Sequence, residues 1–391
     1  MRPLSQLIVF AIVLIALFAL QNASALEHNI AGSGQLDYEY VPTARNGNAN
    51  AGTYNAFDGF TLEAAAKLSV DVNEHLSANV KVCVGCHGFE PDMFYFDYRF
   101  QDELDLRAGR FSPSFGSFVL RHDPANQKLT DKPLPYDMGR MLRKDVWNNG
   151  VLPAPFPSNG LEVNGTHWFG DRVQLDYAAY AITGFRNDTD AYPVDLNFIE
   201  SHSPTYYIST NGRPAFGGRT AITVKMGNAS DMSAGASGMY GIYDPHDRFS
   251  YLILGGDLSL RVHHTNVRME YLVRRQEMDT DDPSLFKYAV SPQRGNFFVK
   301  QGAFAELEQP LVTDLDLVAR LDGMTRNGNV LATSPLSSNA YVIRETLGLA
   351  YAFDRNFRVK TSGELWEFSG PDPTTGRTTE VSLHLGVVGT F

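Results

Sequence analysis

Cysteine is almost absent from this chain: two residues in 391, so no disulfide framework holds the fold together. Long hydrophobic runs are missing too. Beyond residue 20 no stretch reaches the roughly 18 continuous apolar residues of a membrane-spanning helix. Positive charge is in deficit, with 33 Lys and Arg against 44 Asp and Glu and a net charge of −11 at pH 7, which argues against a nucleic-acid partner. Sustained helical periodicity and solenoid-type repeats are also lacking, so the chain reads as one non-helical domain.

What is present starts at the N-terminus. Arg2 is followed by an uninterrupted apolar stretch over 7–20 and then by Ala23-Ser24-Ala25, the A-x-A pattern of a signal-peptidase site. Residues 1–25 are therefore expected to be a secretory signal peptide and 26–391 the mature domain. Losing Arg2 shifts the net charge from −11 to about −12. Export places both cysteines in an oxidising compartment, where a closely spaced pair is either oxidised or covalently modified.

The mature chain carries segments of about ten residues with strict apolar/polar alternation, separated by turn residues, as expected of a transmembrane β-barrel. In 60–71, Phe60, Leu62, Ala64, Ala66, Leu68 and Val70 point one way and Thr61, Glu63, Lys67, Ser69 and Asp71 the other. The last segment, 379–391, sets Val381, Leu383, Leu385, Val387 and Phe391 against Glu380, Ser382, His384 and Thr390. A final strand ending in Phe resembles the assembly signal of bacterial outer-membrane barrels. Twelve per cent aromatics and 34 glycines fit that class. Counting the weaker segments near 35–41, 161–169, 220–226 and 234–243, the expected fold is an all-β antiparallel barrel of about 16 strands. Alternate connections are short, at 72–75, 101–103 and 354–356. The others are long and are expected to face outward. Two stand out: 112–159, rich in proline and in basic residues (Arg121, Lys128, Lys132, Arg140, Arg143, Lys144), and 184–214.

The two cysteines fall in Cys83-Val84-Gly85-Cys86-His87, the CxxCH signature of c-type haem attachment: two thioethers to the porphyrin vinyls and an imidazole on the iron. One covalent haem c is expected on Cys83, Cys86 and His87. Met93 and His122 are candidates for the second axial ligand, with Met138 and Met141 as further options. The plain alternative is a Cys83–Cys86 disulfide pinning an outer connection, which would leave His87 without a role. Strand phase points Ser77, Asn79, Lys81 and Cys83 into the lumen and puts Met93 on the same side, at the extracellular end of the barrel. The remaining lumen face carries both signs, with Lys67, Arg99, Arg107, Arg268, Arg320, Arg344, Arg358 and Lys360 among Glu63, Asp97, Asp105, Glu270, Asp316, Asp322 and Glu364. Ion pairing across a wet pore wall accounts for such a pattern without selectivity; anion transport would need the basic groups to gather at a constriction.

The stretch Leu106-Arg107-Ala108-Gly109-Arg110-Phe111-Ser112-Pro113-Ser114-Phe115-Gly116 resembles the Gly-x-Phe-x-x-Pro-Phe-Gly segment of phosphate-selective-type porins, which are sixteen-stranded. Together with a single CxxCH, the chain resembles the fused monohaem cytochrome–porins, although here barrel strands precede the haem motif. The resemblance implies an outer-membrane porin, often a homotrimer, embedded in outer-membrane lipid. With its haem it would take part in electron transfer with a periplasmic or extracellular cytochrome or other redox partner. The alternative is a passive diffusion porin for small solutes, with or without a preference for anions, and Cys83–Cys86 as a disulfide. No catalytic constellation is read from the sequence; the chain suits an electron carrier or channel rather than an enzyme.

Overall fold

The computed structural model describes residues 27–42, 59–85, 88–137, 150–185, 212–244, 246–278, 293, 295–328, 341–369 and 377–391. Their strands, in chain order, are β1 Glu27–Tyr40, β2 Gly59–Asp71, β3 Leu76–Gly85, β4 Gly88–Gln101, β5 Leu104–Phe111, β6 Ser158–Phe169, β7 Val173–Ile182, β8 Ala215–Gly227, β9 Ser230–Ile242, β10 Ser250–Val262, β11 Thr265–Glu277, β12 Phe297–Val312, β13 Leu315–Gly328, β14 Tyr341–Ala352, β15 Phe357–Ser369 and β16 Arg377–Thr390. Each strand pairs with its sequence neighbours, and β1 pairs antiparallel with β16, closing a sixteen-stranded barrel as expected. Closure leaves no free sheet edge. The terminal Phe391 completes the seam by exchanging backbone hydrogen bonds with Gly32, 3.1 Å in each direction.

Alternation decides which side chains face out. On β16, Leu383 and Leu385 are 49% and 53% exposed while Ser382 and His384, which alternate with them, are 0% and 5% exposed, so the apolar set is the outer one. The same sorting on the other strands coats the exterior with Leu, Phe, Val and Tyr and turns the charged residues inward, as a lipid-embedded barrel requires. No helix among the described residues is long and apolar enough to cross a membrane; the crossing elements are strands. Turns at the end holding both termini are tight and side-chain-capped. Asn73 Oδ1 accepts from the amides of His75 and Leu76, and Asp354 Oδ1 from those of Asn356 and Phe357. Long connections lie at the other end, which by the porin pattern is extracellular.

Several strands run longer than the sequence reading, β8 from Ala215 rather than 220 and β13 to Gly328 rather than 323 among them, and two differences bear on the lumen. β1 starts at Glu27 rather than near 35, because Ala31, Gly32, Ser33 and Gly34 pair with β2 without carrying an apolar alternation. β3 and β4 run to within two residues of each other, with Cys83 opposite Glu90, Val84 opposite Phe89 and Gly85 opposite Gly88. Val82, Val84 and Phe89 are strong strand formers, so the ladder continues where a loop was expected. The CxxCH motif therefore begins in a strand wall and straddles a hairpin rather than lying in a long connection. Cys86, His87, Met138 and Met141 lie outside the described residues.

The register of this hairpin slips by one residue: Lys81 faces Met93 while Val82 faces Pro91. The extra residue is Asp92, and the bulge turns two consecutive residues inward, with Asp92 and Met93 4% and 9% exposed.

The 112–159 connection folds into the lumen. Its described part makes short 3-10 turns at Val119–Arg121, Pro124–Asn126 and Leu134–Tyr136. Phe115, Phe118, Leu134, Tyr136 and Phe156 from this loop join Tyr251, Leu272 and Phe304 from the wall in one buried cluster, so the hydrophobic core lies inside the barrel. Only the ends of the 184–214 connection are described.

Candidate functional site

The lumen is the candidate site, and the inserted loop defines it. Glu270 on β11 accepts hydrogen bonds from the Ser117 amide at 3.1 Å and from the Ser117 and Tyr136 hydroxyls. Glu162 on β6 accepts from the amide and hydroxyl of Ser114 at 2.8 and 3.0 Å. Across the barrel, Lys360 on β15 donates to the carbonyls of Pro124 and Leu129, and Gln35 on β1 to that of Thr130. On β13 and β14, Arg320 donates to the Asp131 carbonyl and Arg344 to that of Lys132. The loop is therefore tied to opposite walls and crosses the lumen between them.

Its first bend meets the haem-motif strand. Lys81 Nζ on β3 donates to His122 Nε2 at 2.9 Å and to Asp123 Oδ1 at 2.6 Å, and pairs with Asp92 Oδ2 at 3.2 Å. His122 Nδ1 faces the Val119 carbonyl at 2.7 Å, which fixes the proton on Nδ1 and leaves Nε2 as the acceptor for Lys81. Burial, reinforced by the Lys81 ammonium, holds the His122 imidazole below its ordinary pKa, consistent with this neutral tautomer. Cys83 is a free thiol, half-buried, with Sγ 3.3 Å from Asp92 Oδ2. Cys86, the other half of the disulfide alternative, lies outside the described residues.

Strand phase thus placed Cys83, Lys81 and Met93 correctly on the lumen side, and the structure gathers them with His122. As a haem environment this corner fits poorly. The groups packed around Cys83 are ion-paired rather than apolar, and both ring nitrogens of His122 are engaged. His122 could serve as an axial ligand only by releasing Lys81. Met93, buried opposite Lys81 in the register, is the less committed of the two.

A second network runs along the opposite wall. Lys128 of the loop pairs with Asp316 and Glu308 at 3.0 and 3.6 Å. Glu308 and Glu306 both contact Arg268, and Glu306 contacts Arg320 at 3.5 Å. Arg320 and Arg344 share Asp322 at 3.2 and 2.7 Å, and Arg344 also reaches Asp131 and Glu364 at 3.4 and 3.3 Å. Mutual pairing of the lumen charges, the expected plain account, holds for this wall. Of the loop's basic residues, Lys128 and Lys132 are spent on acids of the wall, the latter on Glu63 at 3.4 Å.

Arg274, Lys300 and Arg326 escaped the sequence reading. They face one another on β11, β12 and β13 in a single cross-strand row and are 1%, 0% and 0% exposed. Arg274 Nη1 donates to the Val151 carbonyl at 2.9 Å, so the row stands where the loop crosses the wall. Alternation along each strand gave their inward phase, but their alignment depends on register between strands, which no single segment encodes.

No protein-family model and no curated protein matches the chain. Solved structures do. An anion-selective porin from Comamonas acidovorans aligns at 9% identity with a TM-score of 0.55, covering 94% of this chain and all of that one. OmpF of Salmonella typhi, solved with daunomycin, aligns at 11% identity and TM-score 0.55, covering 93% and 97%. The outer-membrane channel DcaP of Acinetobacter baumannii aligns at 11% identity and TM-score 0.52, covering 94% and 97%. The fold is that of the bacterial outer-membrane porins. With its apolar exterior and closed hydrogen bonding, this barrel belongs to the bacterial outer membrane.

Proposed function

We propose that the protein is a diffusion channel for small anionic solutes, narrowed by its inserted loop. The observation that carries this reading is the Arg274–Lys300–Arg326 row. The row stands where the loop crosses the wall, and basic groups gathered at a constriction set up the positive field that favours anions. Reversal potentials across a planar bilayer under a salt gradient test it. The wild type is expected to favour chloride over potassium, and Lys300→Glu with Arg326→Ala to reduce or invert that preference. A cation-selective wild type, or selectivity that the double variant leaves unchanged, defeats the reading.

A homotrimer fits the outer face of β1 and β2, where Gly34, Ala64 and Ala66 form a low surface beside the exposed Leu36, Phe60 and Leu62. A solved neighbour at 8% identity, OmpT of Vibrio cholerae, is described in a trimer form. Chemical cross-linking in native membranes, expected to stop at three chains, checks this.

A second reading rests on the CxxCH spacing. One haem c, attached through Cys83 and Cys86 with His87 on the iron, would supply one-electron chemistry at the extracellular mouth. A single haem cannot bridge a hydrocarbon core of about 30 Å, so a cytochrome or other redox partner would be required. Haem staining of the denatured mature protein decides it: covalent haem that vanishes in Cys83→Ala with Cys86→Ala supports this reading, and an unstained wild type rejects it.

A further inference from the structure

We infer that the lumen holds a divalent metal site that staples the inserted loop to the barrel wall. Its ligands are Asp131 of the loop, Glu364 of β15 and His384 of β16. All three are buried, and their ligating atoms lie within 4.8 Å of one another. His384 Nε2 is 3.3 Å from Glu364 Oε2 and 3.7 Å from Asp131 Oδ2. Ligands bound at 2.0–2.2 Å around a tetrahedral ion are separated by roughly 3.3–3.5 Å, so these side chains need only small shifts to share one. Ser382 Oγ, 3.1 Å from His384 Nε2 and 3.0 Å from Glu364 Oε2, occupies a fourth corner, which a water could equally take.

Chemistry at the centre of the trio gives the reason. Two buried carboxylates converge on His384 Nε2, and in a buried setting they call for positive charge between them: a proton on the imidazole, or a metal ion in its place. The surrounding donors orient both carboxylates: Trp366 Nε1 donates to Glu364 Oε2 at 3.1 Å, and Arg344 Nη1 contacts Glu364 Oε1 at 3.3 Å and Asp131 Oδ2 at 3.4 Å. One imidazole with two carboxylates selects a first-row ion such as zinc over calcium or magnesium, which prefer all-oxygen sites. Because Asp131 alone comes from the loop, the metal's effect would be to hold that loop against β15 and β16.

The test uses full-length, tag-free mature protein in a Cys83→Ser, Cys86→Ser background, so that thiols contribute no zinc. After EDTA treatment, equilibrium dialysis against Zn²⁺ with elemental analysis is expected to give one ion per barrel. Cobalt(II) substitution should give a visible absorption spectrum of low coordination number. His384→Gln and Asp131→Asn are each expected to weaken zinc binding at least about tenfold. Heat-modifiable electrophoretic mobility checks that both variants are folded. Asp131 lies on the loop, so its variant keeps the barrel wall intact even if His384→Gln does not. Binding of less than a stoichiometric ion by the parent protein, or binding that Asp131→Asn leaves unchanged, overturns the site and leaves the two carboxylates paired with His384 alone.

Discussion

Lys81 is the residue on which the first bend of the loop turns, since one ammonium serves His122, Asp123 and Asp92 together. The arrangement needs His122 neutral. Its pKa in the folded state lies below the ordinary value, so the folded state binds fewer protons there than the unfolded chain, and docking is favoured at high pH. As pH falls below about 6.5, that contribution is lost progressively until the folded pKa is passed. Proteolysis of the loop in folded protein should accelerate between pH 7 and pH 5, and His122→Gln should flatten that dependence. Arg344 gives a second residue-scale prediction. It is 0% exposed and bound to Asp322, Asp131 and Glu364, so Arg344→Met takes a buried cation from three carboxylates at once. The expected loss is about 3–5 kcal/mol, read from the urea midpoint of barrel unfolding.

At the scale of elements, the hairpin of β3 and β4 and the inserted loop set the lumen's shape. The loop enters through Gly116, whose φ of +61° is a left-handed conformation open to glycine at no cost. A side chain there would also overlap the Tyr136 hydroxyl and the Glu270 carboxylate, the loop's anchor on β11. Gly116→Val is expected to undock this anchor and raise single-channel conductance, while the variant still folds to a heat-modifiable barrel. Unchanged conductance would show that the anchor does not set the aperture. Most elements could be read from the sequence because apolar alternation carries through them. The early part of β1 could not, because Ala-Gly-Ser-Gly has no hydrophobic contrast. The end of β3 was hidden because a haem motif suggests a loop where valines favour a strand.

For the whole molecule, the apolar belt is the decisive feature. Leu383 sits at the centre of β16 and points outward, so Leu383→Arg places a guanidinium in hydrocarbon. The expected cost is about 2–4 kcal/mol at mid-membrane, measured by denaturant titration in lipid vesicles. The same substitution at inward-facing Ser362 would instead enter the ion network. That contrast separates a lipid-facing wall from one facing the lumen.

The barrel, its approximate strand number and the lipid-facing side of its strands are all legible in the chain alone. Period-two alternation is local and survives without knowledge of any partner. It also placed Cys83, Lys81 and Met93 on the lumen side. Only the tertiary structure decided which inward groups meet. Lys81 finds His122 across 41 positions, and Arg344 finds Asp131 across 213. Arg274, Lys300 and Arg326 align only once neighbouring strands have fixed their register. These encounters depend on barrel closure and on a loop folding back into the lumen, and both are non-local events that no ten-residue pattern records.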